Sequence, residues 1–248
     1  MREGQGMPAK IHIGTSGWKY DHWKGPFYPE DLSKKEWFDF FAKKFSTVEI
    51  NRSFYQLPGR EVLSDWKDRT GKDFVFSYKA SRYITHMKKL KDPEDPVSNL
   101  FDSAEALGEK LGPVLFQLPP KWKCNPGRLK DFLEALPKKH RYTFEFRDPS
   151  WFCQEVYDLL GEHECAFCIF EIGDLLSPKE ITTDFIYIRL HGPGEAYQGR
   201  YGGQGLSGWA GSIQAWKDKV KNIYCYFDND QFGYATQDAL QLKDMLGA

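Results

Sequence analysis

The segment FIYIRLHG (185–192) has the pattern of a β-strand that ends on charged side chains. Arg189 and His191 lie two residues apart, so a strand projects both side chains to the same face. Two other strand-like segments, TVEINRSFY (47–55) and RYTFEFR (141–147), also carry pairs of polar residues at this spacing. A fold that gathers these strand ends would therefore bring several charged groups together.

Strand-like and helix-like segments alternate along the chain. The eight predicted strands cover residues 10–17, 47–55, 74–80, 113–118, 141–147, 165–172, 185–192 and 222–229. Alternating strands and helices predict parallel βαβ units, and a closed α/β barrel of the TIM type is the most economical arrangement of eight. An open, doubly wound sheet is the alternative, but no G-x-G-x-x-G motif follows the first strand.

Seven helices are predicted between and after the strands. They are 34–45 with Ser33 as N-cap, 61–69, 97–112 with a glycine C-cap, 126–136, 150–161 with Ser150 as cap, a helix near Ser207–Val220, and 235–246. The segment 173–184 is too short and broken for a helix, which predicts an irregular sixth unit. We expect one barrel domain over residues 10–248, preceded by a flexible tail at 1–9.

Bulk composition restricts the possible partners. The net charge is −1, from 34 Lys+Arg against 35 Asp+Glu, so the general basic excess of a nucleic-acid-binding protein is missing, although a local patch is possible. No segment approaches the ~20 apolar residues that a membrane span needs. Five scattered cysteines suit free thiols in a reducing cytoplasm, and a strand places Cys165 and Cys168 on opposite faces. We expect a soluble cytoplasmic protein.

The carboxyl ends of barrel strands form the mouth where barrel enzymes hold their chemistry. The catalytic candidates are Glu49, Glu145 and His191. The candidate ligand-binding residues are Trp18, Asn51, Tyr55, Lys79, His86, Gln117, Arg147, Trp151, Arg189, Arg200, Tyr201, Asp228 and Asn229.

A purely structural ion network is the alternative for these mouth residues, because three acidic and three basic groups balance one another. However, removing six ionisable groups from water costs several kcal/mol each before pairing offsets it. This cost favours a functional pocket.

The chain also resembles the YecE-like family, a domain of unknown function with the number 72, from about residue 11 to 245. The stretches that carry the resemblance are IGTSGWKYDHWKGPFYP, TVEINRSFYQLP, ITHMKKL, LFQLPPKW, FEFRDPSWF, YIRLHG and YFDNDQFGYA. The resemblance implies an irregular TIM-barrel-like fold and implies no activity. Asp228 stands where an asparagine pair is expected in relatives, so the contribution of the eighth strand is less certain.

Two hypotheses about function follow from the mouth residues. The first is an enzyme of hydrolase, lyase or isomerase type, without metal or cofactor, that uses acid–base chemistry on an anionic, phosphorylated or sugar-like substrate. One of the two glutamates would have a raised pKa and act as the acid, and a phosphate or sulfate would bind near Arg189 or Arg200. The second is a non-catalytic module that binds nucleotide or single-stranded nucleic acid. A structural barrel with a protein partner is a third possibility, and the sequence predicts neither substrate nor oligomeric state.

Overall fold

The computed structural model describes residues 8–248. The strands are β1 (Lys10–Thr15), β2 (Thr47–Ile50), β3 (Val75–Lys79), β4 (Leu111–Gln117), β5 (Tyr142–Glu145), β6 (Ala166–Ile172), β7 (Leu175–Leu176), β8 (Phe185–Leu190) and β9 (Asn222–Phe227). The helices are α1 (Trp37–Lys44), α2 (Arg60–Asp68), α3 (Glu94–Ala104), α4 (Pro126–Glu134), α5 (Gln154–Glu162), α6 (Gly202–Trp216) and α7 (Tyr234–Leu246). All eight predicted strands are confirmed.

The eight long strands form one parallel sheet in the order β1-β9-β8-β6-β5-β4-β3-β2. The two end strands, β1 and β2, meet through a single bridge between Ser16 and Glu49, next to a hydrogen bond from the Gly17 N–H to the Glu49 carbonyl oxygen at 2.8 Å. The sheet is therefore nearly closed, and helices follow most of its strands. This is the predicted TIM-like barrel.

The predicted irregularity of the sixth unit is also confirmed. The strand β7 pairs antiparallel with β6, and no helix connects β6 to β8. The intervening segment uses hydroxyl groups instead: Ser177 Oγ accepts the Phe170 N–H at 2.9 Å, and Thr182 Oγ1 accepts the Phe167 N–H at 2.9 Å. These contacts satisfy backbone groups of β6.

Two predicted helix starts differ from the structure. Ser33 does not cap a helix, because its hydroxyl binds the Glu36 carboxylate at 2.6 Å and α1 begins only at Trp37. Ser150 lies in a 3₁₀ turn whose first N–H groups bind Asp148, so α5 begins at Gln154. Local hydrogen bonds of the polar side chains compete here with helix formation.

The third helix was predicted to continue to Gly112, and this was wrong. The α-helix α3 ends at Ala104, a 3₁₀ segment follows, and Gly112 lies in β4. A β-carbon at Gly112 would lie 2.5 Å from Cγ1 of Val75 in β3. Glycine at this position therefore allows β3 and β4 to pack closely, and it does not end a helix. The helix α6 also differs from the prediction, because it begins at Gly202 rather than near Ser207.

The residues of the predicted tail lie almost entirely outside the described part of the chain. Ala9 is described, and its N–H donates to the Lys217 carbonyl oxygen at 2.8 Å, so the hydrogen bonds of the barrel include residue 9. In residues 8–248, no helix is long and apolar enough to cross a membrane.

The core has two parts, one outside and one inside the barrel. The larger lies between the sheet and the helices and includes Cys165. The smaller lies inside the barrel and includes Cys168, Tyr187 and Tyr226. Cys165, immediately before β6, and Cys168, within it, thus face opposite sides of the sheet, as predicted. Because aromatic side chains fill the lower interior, the charged residues of the same strands are confined to the mouth.

Gly14 in β1 controls how closely the barrel closes. Its β-carbon would overlap the backbone carbonyl of Thr47 in β2, which cannot move without disturbing the sheet. We therefore expect Gly14→Ala to lower the free energy of unfolding by about 2 kcal/mol or more, measured by urea denaturation.

Gly211 provides the matched control for that substitution. It lies in the exposed interior of α6, with open space around the position of a β-carbon. Gly211→Ala should raise stability by about 0.5–1 kcal/mol, because alanine is the better helix former. Equal effects of the two substitutions would contradict the proposed close approach of β1 and β2.

Candidate functional site

Arg189, at the carboxyl end of β8, is the centre of the mouth and is fully buried. Its Nε and Nη2 donate to the two carboxylate oxygens of Glu49 at 2.9 and 2.7 Å. Nη1 donates to Glu145 Oε2 at 2.7 Å, and Nη2 also contacts Asp228 Oδ2 at 3.2 Å. One guanidinium thus forms ion pairs with carboxylates from three strand ends. Since every donor nitrogen is occupied, the geometry does not support the predicted role of Arg189 in holding a substrate anion.

Burial lowers the pKa of Arg189, but the three carboxylates more than offset this effect and raise it well above its ordinary value. The side chain is therefore permanently charged. A buried guanidinium with three carboxylate partners is a framework group, and its removal would leave uncompensated negative charge.

Glu49 is equally enclosed. Besides the two bonds from Arg189, its carboxylate accepts the Ser16 hydroxyl at 2.5 Å and the Tyr187 hydroxyl at 2.7 Å. Four donors saturate both oxygens, and the residue is fully buried. Glu49 therefore has no free oxygen with which to exchange a proton with a ligand.

Glu145 forms ion pairs with Arg147 and Arg189 at the carboxyl end of β5. Burial raises the pKa of this carboxyl, but the two guanidinium groups outweigh the burial and hold the pKa well below its ordinary value. The expected raised-pKa acid therefore does not fit Glu145. Arg189 also occupies the space between Glu49 and Glu145, so the two carboxylates do not face each other across an open cleft as a glycosidase pair would.

His191 completes the buried network. Its Nε2 lies 2.9 Å from Arg147 Nη2 and 3.2 Å from Arg189 Nη1. Guanidinium nitrogens can only donate, so Nε2 is the acceptor and the ring proton lies on Nδ1, which is 3.0 Å from Asp228 Oδ2. Burial raises the pKa of Asp228, but His191 and Arg189 lower it below its ordinary value. Both ring nitrogens of the predicted catalytic histidine are thus engaged within the protein.

A second layer of residues lies above this network, around the ring of Phe54. Lys79 Nζ is 4.4 Å from the ring centroid, and His86 is 5.1 Å from it on an edge-to-face contact. In residues 8–248 the Lys79 ammonium has neither an ion pair nor a hydrogen bond, although the residue is only 6% exposed. Burial, reinforced by the charge of Arg189, lowers the pKa of Lys79 to about 8.

His86 is the histidine of the mouth that keeps a free ring nitrogen. Its Nδ1 contacts the Thr85 hydroxyl at 2.9 Å, and Nε2 has no protein partner among the described residues. Burial and the charge of Lys79 lower its pKa, with smaller contributions from Arg82 and Arg147. The open layer therefore holds two titratable groups, Lys79 and His86, whose pKa values are lowered by burial and by neighbouring positive charge.

The backbone around His86 is unusual. The residue lies in a single π-helical turn, Tyr83–Met87, and Lys89, Leu90 and Asp92 follow with φ of 48°, 63° and 41°. Left-handed conformations of residues other than glycine are strained, and both π-turns and strain concentrate at functional sites. This segment is thus the most strained part of the mouth.

Gln117 and Arg147 also reach the mouth. Gln117 is 9% exposed at the end of β4. Arg147 packs its guanidinium 5.1 Å from the Phe170 ring centroid, and its Nη1 has no hydrogen-bond partner in the described chain. Arg147 thus retains one nitrogen that can donate to a ligand.

Three other predicted ligand residues fasten the glycine-rich loop 192–201 instead. Asn229 Nδ2 donates to the Gly199 carbonyl oxygen at 2.9 Å and to Asp238 Oδ2 at 2.8 Å. The Tyr201 N–H donates to the same carboxylate at 3.0 Å, and Arg200 Nε lies 3.5 Å from its other oxygen. Arg200, Tyr201 and Asn229 therefore converge on Asp238 of α7 rather than on the mouth.

Trp151 offers no face to a ligand. The residue is fully buried, stacks on Phe146 at 4.8 Å, and donates its indole N–H to the Trp122 carbonyl oxygen at 2.6 Å. Its predicted ligand contact is therefore not supported by its position. The remaining predicted residues, Trp18, Asn51 and Tyr55, line a separate cavity of about 630 Å³ beside the mouth.

Sequence reasoning missed Tyr187 as a member of the site, and it missed the contact that Phe54 makes with Lys79. Tyr187 lies two residues before Arg189 on β8, so the spacing that grouped Arg189 with His191 also indicates it. Phe54 lies in a 3₁₀ turn after β2, which Ser53 fixes through hydrogen bonds to the Ile50 and Lys79 carbonyl oxygens. No sequence spacing reveals that contact with β3.

No group of three or more His, Cys, Asp or Glu side chains between residues 8 and 248 is placed to hold a metal ion.

Comparison with known proteins identifies relatives over nearly the whole chain. YunF of Bacillus subtilis strain 168, a UPF0759 protein, is 25% identical over 95% of this chain and 94% of its own length. YecE of Escherichia coli K12 is 30% identical over 58% of this chain, a match that spans about half (51%) of that protein.

A solved structure and a family model agree with these relatives. A DUF72 family protein from Thermotoga maritima superposes with a TM-score of 0.88 and 30% identity, covering 96% of this chain and 100% of the other. The family described as protein of unknown function DUF72 matches residues 12–248. The chain therefore belongs to the DUF72 family.

Proposed function

We propose that this protein is an enzyme that performs acid–base chemistry on a small anionic molecule at the barrel mouth, with Lys79 and His86 as the proton-transferring groups. The observation that carries the proposal is the division of the mouth into two layers. In the lower layer, Arg189 forms ion pairs with three buried carboxylates, those of Glu49, Glu145 and Asp228. Lys79 and His86 remain above them with free nitrogens.

The charge of the open layer favours an anionic ligand. Lys79 and Arg147 both present donors without a complete set of partners among the described residues. In the layer below, all oxygens of Glu49 and Glu145 are engaged, and only Asp228 Oδ1 has no hydrogen-bond partner within residues 8–248. Cationic donors of this kind bind carboxylate or phosphate groups through charge-assisted hydrogen bonds. A phosphorylated or carboxylated sugar-like molecule fits this requirement.

The lowered pKa values support proton transfer. A general base works best when its pKa lies near the working pH, and burial beside another cation is a recognised means of lowering that of lysine. In this scheme the Arg189 network keeps β2, β5, β8 and β9 in register. Its charges also set the electrostatic field in the layer above it. His86 exchanges protons with the ligand while Lys79 fixes the anion or acts as the second base, consistent with a hydrolase, lyase or isomerase.

A non-catalytic binding module is the second candidate. The observation in its favour is a set of exposed aromatic side chains on loops at the mouth: Tyr83, Tyr197 and Phe232. Such residues stack on bases or sugars without any chemistry.

We further propose a cytoplasmic location, supported by five cysteines that are all free thiols.

Stability measurements distinguish a functional lysine from a structural one. Since the pKa of Lys79 is about 8 in the fold and 10.5 ordinarily, its charge destabilises the folded state at pH 7. We expect Lys79→Met to raise the free energy of unfolding at pH 7 by up to about 3 kcal/mol, at about 1.4 kcal/mol per pKa unit. The wild type should gain stability between pH 8 and 10.5, and the variant should lack that gain.

Arg189→Met, in the network below Lys79, should have the opposite effect on the free energy of unfolding. It leaves three buried carboxylates without their partner and should destabilise the protein by about 3–5 kcal/mol or prevent folding. If Lys79→Met were also destabilising at pH 7, the lysine would belong to the structural network and the proposed role would fail.

Anion binding should depend on the charge of Lys79. With sulfate as a probe that does not itself titrate, affinity should be highest below pH 8 and fall about tenfold above it, because deprotonation removes a charge-assisted hydrogen bond. Titration calorimetry from pH 6 to 10 measures this change. The Lys79→Met variant should bind weakly at every pH, whereas Lys43→Met, on the exposed end of α1, should match the wild type.

Turnover is the direct test of the enzyme hypothesis. A panel of phosphorylated and carboxylated sugars is incubated with the protein, and products are detected by mass spectrometry. For any substrate found, His86→Gln should lower kcat by about 100-fold or more, as expected for loss of a general acid or base. Lys43→Met is the control. Tight binding of panel members with no product from any of them would favour the binding module instead.

A further inference from the structure

The cavity beside the mouth is a second place where chemistry-bearing residues converge. It measures about 630 Å³, within the usual range of small-molecule sites. Four segments enclose it: residues 17–21 after β1, residues 34–38 at the start of α1, residues 50–55 after β2, and the end of α2 at 66–69. We call it the side cleft.

Positive charge dominates the side cleft. Its lining contains five cationic side chains and one carboxylate, that of Asp21. Asp21 is paired with Lys34 at 2.6 Å, and Arg69 is paired with two aspartates outside the lining. The other three cations have no carboxylate partner within residues 8–248: Lys19, Lys35 and Arg52. The cleft is therefore charged to attract an anion.

Aromatic side chains form the other part of the lining. Trp18 packs edge-to-face on Trp66 with centroids 4.7 Å apart and contacts Phe38 at 4.9 Å, so its position is rigid. Tyr55 is 72% exposed and lines the cleft without being covered by the rest of the protein. A rigid aromatic wall beside an exposed tyrosine suits a planar ring.

An unsatisfied polar atom marks the inner wall. Asn51 Oδ1 is buried and has no hydrogen-bond partner, while the side chain also contacts Tyr20. A buried acceptor without a donor is destabilising unless something binds it. Because Oδ1 is enclosed, a ligand N–H or O–H group satisfies it only if binding shifts the Asn51 side chain toward the cleft.

From these features we infer that the side cleft binds a nucleoside monophosphate, with the phosphate held by Lys35 and Arg52 and the base placed against Tyr55 and the Trp18 wall. Phosphate, planar ring and hydrogen-bond donor occur together in this class of small molecule. Inorganic phosphate offers no ring, and a free nucleoside offers no charge. Lys79 does not line the site, although Phe54 contacts both Lys79 and Tyr55, and the inference does not depend on the proposed chemistry at the mouth.

The probe is adenosine monophosphate, titrated into the full chain by calorimetry and by quenching of tryptophan fluorescence. It should bind at least tenfold more tightly than adenosine or inorganic phosphate alone. Lys35→Glu and Arg52→Glu should each weaken binding at least tenfold, and Tyr55→Ala should weaken it severalfold. Matched controls are Lys43→Glu for surface charge and Tyr157→Ala for a partly exposed aromatic on α5, outside the cleft, and both should bind as the wild type does.

Four results would overturn the inference. These are absence of binding at millimolar concentration, equal weakening by Lys35→Glu and Lys43→Glu, loss of binding in Lys79→Met with retention in Lys35→Glu, and affinity that rises with the length of an oligonucleotide. The third result would place the nucleotide in the mouth. The last would indicate a strand-binding surface rather than a site for a mononucleotide.

Discussion

The burial of three carboxylates around one guanidinium is the constraint on which the mouth of this barrel depends. Arg189 contacts Glu49, Glu145 and Asp228, which come from strands that are far apart in the sequence. Each buried charge would be costly alone, and each is acceptable only while the others hold their positions. The network therefore fixes the carboxyl ends of β2, β5, β8 and β9 relative to one another, at the place where the sheet is nearly closed.

This constraint also decides which groups are available for function. Charges that meet inside the barrel satisfy one another, so the two glutamates and His191 lose their freedom to act on a ligand. Within residues 8–248, Lys79 forms no ion pair with these carboxylates, although their charges act on it, and its ammonium lies over an aromatic ring. Its ammonium is desolvated without being paired, which is an arrangement that stability alone does not favour.

The two explanations for balanced charge, a structural network and a functional pocket, are therefore not exclusive. The structure contains a buried network of three carboxylates and two guanidinium groups, and the third base of the balance, Lys79, lies above it without an ion pair among the described residues. The side cleft, beside the ends of β1 and β2, adds an exposed tyrosine and three cations that have no carboxylate partner within residues 8–248.

The sequence alone determined the eight strands, their parallel arrangement, the irregular sixth unit and the set of polar residues at the strand ends. These features depend on local periodicity and on the fixed geometry of a strand, in which residues two apart share a face. Only the tertiary structure decided which polar residues pair with which. Arg189 is saturated, Lys79 is free, Asn229 binds Asp238 and Trp151 is buried because of contacts between residues distant in the chain, and no spacing within a segment encodes such contacts.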